Sequence, residues 1–395
     1  MIQQRKLPFE ILDSIRGIAA LYVAIAHCRG ALWVGGEKFM TMFSRDEWGA
    51  WDYLVMGGSM LTRLAVEFVI VFFVLSGFSI AHSLSVNKSP LPFYKRRFIR
   101  LYPPYVMALV WAGLVFLITR YWHPEWYDGS LTENAFTRTN EMNDYFDWQV
   151  MLKNLFYMPG YGFITPFWSL TYEVMFYLLA PFLLRNVNIY VIVSFILFLA
   201  NFLAPERVQS LDLPVYIHNF FFVFNIYFAV GVYLYTHFEK ISGWFSNYTK
   251  LEFFLLLGGI LAIMYGANIY FRLETEFTFI EASMLSVILI IFFLKFRIRI
   301  PWLMRVGEFS YTLYITHFAS IYLYLGIYWL LFKPETPYII NFFVWLPAVP
   351  FVVLMALIQY WLVEKRTKLI LNRLRKKNAK EIPGSTVKAA TPQTQ

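Results

Sequence analysis

Ten apolar runs of about twenty residues recur along this chain, and they limit its fold more than any other feature. A run of that length crosses the roughly 30 Å hydrocarbon core of a bilayer as an α-helix, because a helix rises about 1.5 Å per residue. The runs lie at 10–30, 64–85, 98–120, 167–184, 188–204, 215–237, 251–271, 277–296, 309–332 and 338–363. Each is apolar nearly all round, as a lipid-surrounded helix is. Only 15% of the residues are charged, against about 25% in a soluble domain. The expected fold is therefore all-α, a polytopic membrane bundle of ten helices. A ten-helix domain over 1–365 precedes a basic tail, 366–395, whose polar end after residue 376 reads as disordered. No cleavable signal pattern opens the chain, so the first helix reads as a targeting signal that stays.

The loop charges give the orientation. Lys and Arg collect on the cytoplasmic side of a membrane protein. With the N-terminus inside, the inner segments hold Lys88, Lys95, Arg96, Arg97 and Arg100, then Lys295, Arg297, Arg299 and Arg305, then the basic tail. The outer loop after the third helix is acidic, with Glu125, Asp128, Glu133, Glu141, Asp144 and Asp147. Both termini are then cytoplasmic and the protein sits in the cell's inner membrane. The net charge of +9 reads as topology and contact with anionic lipid rather than as a nucleic-acid surface. Cys28 is the single cysteine, which excludes an internal disulfide and a multi-cysteine metal site; no metal motif is present.

Ionisable groups at membrane depth are costly and face cavities or partners. In "DSIRGIAALYVAIAH" Arg16 and His27 are eleven residues apart, three turns plus about 20°, so both project from one face about 16 Å apart along the axis. Asp13 stands one turn before Arg16 and suits an ion pair with it. The competing reading is that Arg16 snorkels to headgroups and His27 bonds a neighbouring helix. The second run carries Glu67 near its outer end and the small patch Ser76, Gly77, Ser79, read as helix packing. "YKRRFIRLYPPY" clusters Arg96, Arg97 and Arg100 at a helix start on the cytoplasmic side, where guanidinium forks suit phosphates and positive-inside bias is the plainer account. Glu173 in "FWSLTYEVMFY" is expected near the depth of His27, where a carboxylate orients an imidazole. "GEFSYTLYITHF" puts Ser310 and His317 two turns apart on one face. His123 precedes Asp128 by five in "HPEWYD", a spacing without a supporting scaffold that reads as coincidence.

Taken in order, these fragments resemble the acyltransferase 3 family of membrane acyltransferases. The Arg-x10-His first helix, "FFVLSGFSI", "RRFIRLYPPY", "WSLTYEVMFYL" and "GEFSYTLYITH" follow that family's order over most of residues 9–363. The resemblance implies ten core helices. It implies transfer of an acyl group, often acetyl, from a cytoplasmic acyl-CoA co-substrate to a cell-surface carbohydrate or glycolipid, with no tightly bound cofactor. It implies that His27 is the catalytic histidine, Arg16 its companion, and Arg97 with Arg100 the Arg-x-x-Arg pair near the donor, beside Arg96. Glu173 matches the acidic position of the fourth helix; Ser310 and His317 match the ninth-helix pattern as acceptor-side residues. Glu67 departs from the small or apolar residue the family more often carries there. The fused esterase-like domain of many members is not expected here, which leaves direct transfer or hand-over to a partner protein, or a homo-oligomer.

On chemistry, an imidazole that ionises near neutrality suits removal of a hydroxyl proton, or attack on the thioester itself. The sequence leaves both open. It also leaves open a transporter or flippase of a glycolipid or organic anion, which needs intramembrane polar residues too. Trp48, Trp51, Trp122, Trp126 and Trp148 in the outer loops suit either sugar stacking or interface anchoring.

Overall fold

The computed structural model describes residues 8–127, 144–159, 164–267, 275–333 and 339–380. Among those residues there are helices and no strand. The acidic-loop residues Asp128, Glu133 and Glu141, and the tail from 381, lie outside the described residues.

Among the described residues, all ten apolar runs fall largely on helix. The elements that position the site are α1 (Leu12–Ala31), α2 (Gly36–Met42), α3 (Ala50–Met60), α4 (Ala65–Val86), α5 (Pro90–Trp122), α6 (Trp168–Leu183), α7 (Val187–Leu203), α8 (Asn225–Thr236), α9 (Lys250–Gly266), α10 (Thr275–Phe296), α11 (Pro301–Glu308), α12 (Ser310–Phe332), α13 (Ala348–Gln359) and α14 (Lys365–Lys380). The chain is the expected polytopic helical bundle. Among the described residues, six stretches are long and apolar enough to cross a membrane: Ala50–Val86, Pro90–Trp122, Val215–Thr236, Phe277–Phe296, Ser310–Phe332 and Phe342–Leu374. The ten apolar runs and these six spans differ because, among the described residues, α6, α7 and α9 have 16, 17 and 17 residues, at the short end of what crosses a bilayer. The 20 residues of α1 include Asp13, Arg16, His27 and Arg29, which dilute its hydropathy. The segment from residue 366 continues as helix to Lys380.

Two glycine contacts set the inner architecture. A methyl on Gly77 of α4 would overlap the Phe228 carbonyl of α8, and one on Gly231 of α8 would overlap the Val74 carbonyl of α4. Only hydrogen lets these two backbones approach so closely. Stacked rings flank the crossing: Phe73 on Phe228 at 4.6 Å and Phe176 on Phe228 at 4.5 Å between centroids. The second pair joins α1 to α11. A methyl on Gly17 would strike the Leu303 carbonyl, and one on Gly307 the Asp13 carbonyl. That contact fixes the turn of α1 that bears Arg16.

The 34–62 loop is itself helical. Gly35 turns the chain at a φ of 84°, a value that side chains resist, and starts α2. The Asp52 carboxylate accepts the Gly49 N–H at 2.9 Å and caps α3. At the opposite end of α12, Glu364 is 2% exposed and bonded to Thr312 Oγ1 at 2.5 Å and Lys368 Nζ at 2.9 Å, which ties α12 to the chain entering α14.

Candidate active site

Each of α1, α4, α5, α6 and α12 contributes a wall to one cleft of about 740 Å³, measured with its open mouth. Arg16 enters from α1, Arg97 and Arg100 from α5, Glu173 from α6 and Ser310 from α12. The sequence set these residues far apart; the fold brings them together. Three guanidiniums face Glu173, with Asp13 paired behind Arg16, so the cleft is net cationic and suits an anionic ligand.

Arg16, Arg97 and Glu173 are each held in place. Arg16 Nη1 donates to Asp13 Oδ1 at 2.6 Å and Nη2 to Ser79 Oγ at 2.8 Å, so the fork is locked between α1 and α4. Arg97 lies over the rings of Tyr177 at 5.2 Å and Phe93 at 5.6 Å, a cation–π seat that aligns it toward α6. Glu173 Oε1 accepts from Ser76 Oγ at 2.7 Å and from the Tyr177 hydroxyl. Helical spacing explains the last pair, since Tyr177 follows Glu173 by one turn. Ser310 Oγ donates to the Gly307 carbonyl at 2.9 Å, a bond that joins α12 to α11.

His27 and His317 form a second centre. Neither is among the residues that line the arginine cleft. Their rings lie 5.1 Å apart between centroids, and Phe318 closes on His27 edge-on at 5.6 Å. His27 is half-buried and His317 is 1% exposed. His317 Nδ1 lies 2.6 Å from the Tyr314 carbonyl. A carbonyl only accepts, so Nδ1 carries the proton and Nε2 presents a lone pair. That Nε2 is buried and has no hydrogen-bond partner among the described residues. Tyr314 joins the two centres, since it lines the cleft one turn before His317.

The remaining expected positions are separate. Arg96 does not line the cleft, although it sits beside Arg97 on α5. Glu67 is 5% exposed and bonded to Thr278 of α10, near Arg63 and Glu281. Glu173 is engaged with Ser76 and Tyr177 in the cleft, while His27 faces His317. His123 is buried, with Nε2 3.0 Å from the Gly326 carbonyl and its ring stacked on Trp126; Asp128 lies outside the described residues. The patch read as packing divides: Gly77 packs, but Ser76 and Ser79 bond the cleft's charges. Tyr177, Tyr311 and Tyr314 also line the cleft and escaped the sequence reading. The one signal for Tyr177 was its i+4 spacing from Glu173.

Residues 9–364 match the Acyl_transf_3 family, an acyltransferase domain. The chain belongs to the acyltransferase 3 family. Among curated relatives, this family member is 35% identical over 114 residues to protein 2 in the picA locus of Rhizobium radiobacter, covering 28% of this chain and 46% of that one. It is 29% identical over 136 residues to acyltransferase MdmB of Streptomyces mycarofaciens, covering 32% of this chain and 30% of that one. The matches thus span less than half the length of either relative. No solved structure matches.

Proposed function

We propose that this protein is an O-acyltransferase of the cell's inner membrane. It moves an acyl group, acetyl by preference, from cytoplasmic acyl-CoA to a hydroxyl of an extracytoplasmic carbohydrate or glycolipid. The family supports acyl transfer. The observation that carries the donor assignment is the convergence of Arg16, Arg97 and Arg100 from two helices into one cleft. CoA carries several phosphates, and guanidinium forks are the side chains best matched to them.

In this reading the arginines hold the nucleotide end, and Glu173 sets the Tyr177 hydroxyl and the Arg97 side chain against it. The pantetheine arm runs past Ser310 and Tyr314 toward His317 and His27. His27 removes the proton of the acceptor hydroxyl. The oxygen attacks the thioester carbonyl, the C–S bond breaks, and the CoA thiolate regains the proton. The ester and free CoA thiol are the products. His317, with Nδ1 tied to a backbone carbonyl, positions the His27 ring. The donor is a co-substrate and membrane lipids are the surrounding partners.

The test uses full-length protein in detergent. CoA and acetyl-CoA should raise the thermal midpoint by mass action, since each binds only the folded state. The shift should vanish in Arg97→Ala/Arg100→Ala. No shift at saturating ligand would remove the donor assignment and favour a transporter.

A further inference from the structure

A second cavity lies at the end of the bundle that the loop charges mark as extracytoplasmic. Its volume is about 670 Å³, counted with its open mouth. Helices α2 and α3 form one wall, and residues 340–343 form the other. Trp48, Trp51 and Phe343 supply aromatic faces; Glu47 and Asp52 supply carboxylates. No lysine or arginine is among the described residues that line it.

Three observations fix what such a pocket holds. First, Trp51 is 59% exposed and Phe343 41%, tilted 32° with centroids 5.5 Å apart, so large ring surfaces are offered to a ligand. Second, both carboxylates retain acceptor capacity. Asp52 commits one oxygen to the Gly49 N–H, and the Glu47 side chain makes no hydrogen bond among the described residues. Third, the pocket is built onto the outer end of the His27 helix. Trp33, two residues past that end, packs on Phe39 and Phe342 at 5.9 and 5.3 Å and donates to the Ile340 carbonyl. His27 stands four residues before the end of α1, about 6 Å along its axis.

A pyranose has an apolar C–H face and a rim of hydroxyl donors. Aromatic faces bury the first and carboxylates accept from the second. Uronic or sialic acids would meet two negative charges, and anionic headgroups the same. We infer that this pocket binds a neutral pyranose unit of the acceptor and presents it to the His27 end of the bundle. The inference rests on the reading of the protein as a carbohydrate acyltransferase.

The experiment applies nanodisc-embedded full-length protein to an array of neutral and uronic-acid oligosaccharides. Neutral pyranose glycans should be retained and uronic-acid ones not. Trp51→Ala, at an exposed position that tolerates truncation, should weaken retention about tenfold, the loss of one stacked ring. Trp361→Ala, at an exposed tryptophan outside the cavity, should not. Absence of neutral-glycan binding, or a Trp51→Ala protein within about twofold of the parent, overturns the inference and leaves the aromatics as membrane anchors. Thermal stabilisation by CoA is measured in parallel. Glycan binding without CoA stabilisation sinks the donor assignment and leaves this pocket standing; the reverse result sinks the pocket alone.

Discussion

His27 of α1 and His317 of α12 place their rings 5.1 Å apart, tilted by 40°. One of them bonds a backbone carbonyl through Nδ1 and leaves Nε2 without a partner among the described residues. A buried acceptor left unmet costs about 1–3 kcal/mol. A bound water, a ligand or a catalytic role accounts for such a group, and the proposed reaction uses the last.

The pair is expected to act as a unit. His27→Ala should lower acetyl transfer by roughly 10²–10⁴-fold, the range for loss of a general base. His317→Asn keeps a donor near the Tyr314 carbonyl and removes Nε2; it should cost at least about tenfold without lowering the thermal midpoint. The double variant should be no worse than His27→Ala, because residues in one catalytic unit are not additive. Independent, multiplicative losses in steady-state kinetics would show that His317 does not act through His27.

Arg16 is held by two bonds that leave from different nitrogens of its fork. Lysine keeps the charge and loses that geometry. Arg16→Lys should raise the KM for acetyl-CoA about tenfold, and Ser79→Ala, which releases one nitrogen, about twofold to tenfold. An unchanged KM in Arg16→Lys would show that the fork does not bear on the donor.

The Gly17–Gly307 contact should be intolerant of a single methyl. Gly307→Ala must push α11 away from the Asp13 carbonyl, a strain of about 1–3 kcal/mol. The expected outcome is a lower thermal midpoint together with weaker CoA stabilisation, since the displaced turn carries Arg16. Gly243, which has open space around its Cα, should accept alanine with neither effect.

Glu364 and Lys368 are unequal partners. Glu364 is buried and the Lys368 side chain is about one-third exposed. Lys368→Met strands a buried carboxylate, whereas Glu364→Gln removes the charge and keeps an acceptor for Thr312. The lysine variant should be the more destabilised of the two, by roughly 1–2 kcal/mol. Equal midpoints in thermal denaturation would mean that water already reaches the carboxylate.

The bundle was legible because lipid forces apolar length onto a helix, and because intramembrane charges stand out against it. Arg97 and Arg100 stood out as a cationic cluster at a helix start, and Arg16 and Glu173 announced themselves in that way. Ser76 and Ser79 did not. A serine beside a glycine on an apolar helix has the same pattern whether it fills a gap or bonds a guanidinium, and only the position of α1 against α4 separates the two. Tyr177 and Tyr314 were hidden among 27 tyrosines. The pairing of His27 with His317 needed the α1–α12 contact, since nothing in either segment encodes the other. The count of crossing helices was the least legible, because hydropathy alone does not separate a full span from a helix a few residues shorter.

Those shorter helices have a mechanical consequence. The 17 residues of α7 rise about 25 Å, some 5 Å less than the hydrocarbon core. Hydrophobic mismatch of that kind draws the leaflets together around the protein. In the proposed reaction a thinned bilayer would shorten the journey of a small acyl unit from one aqueous compartment to the other, and the lipid itself would become part of the conduit.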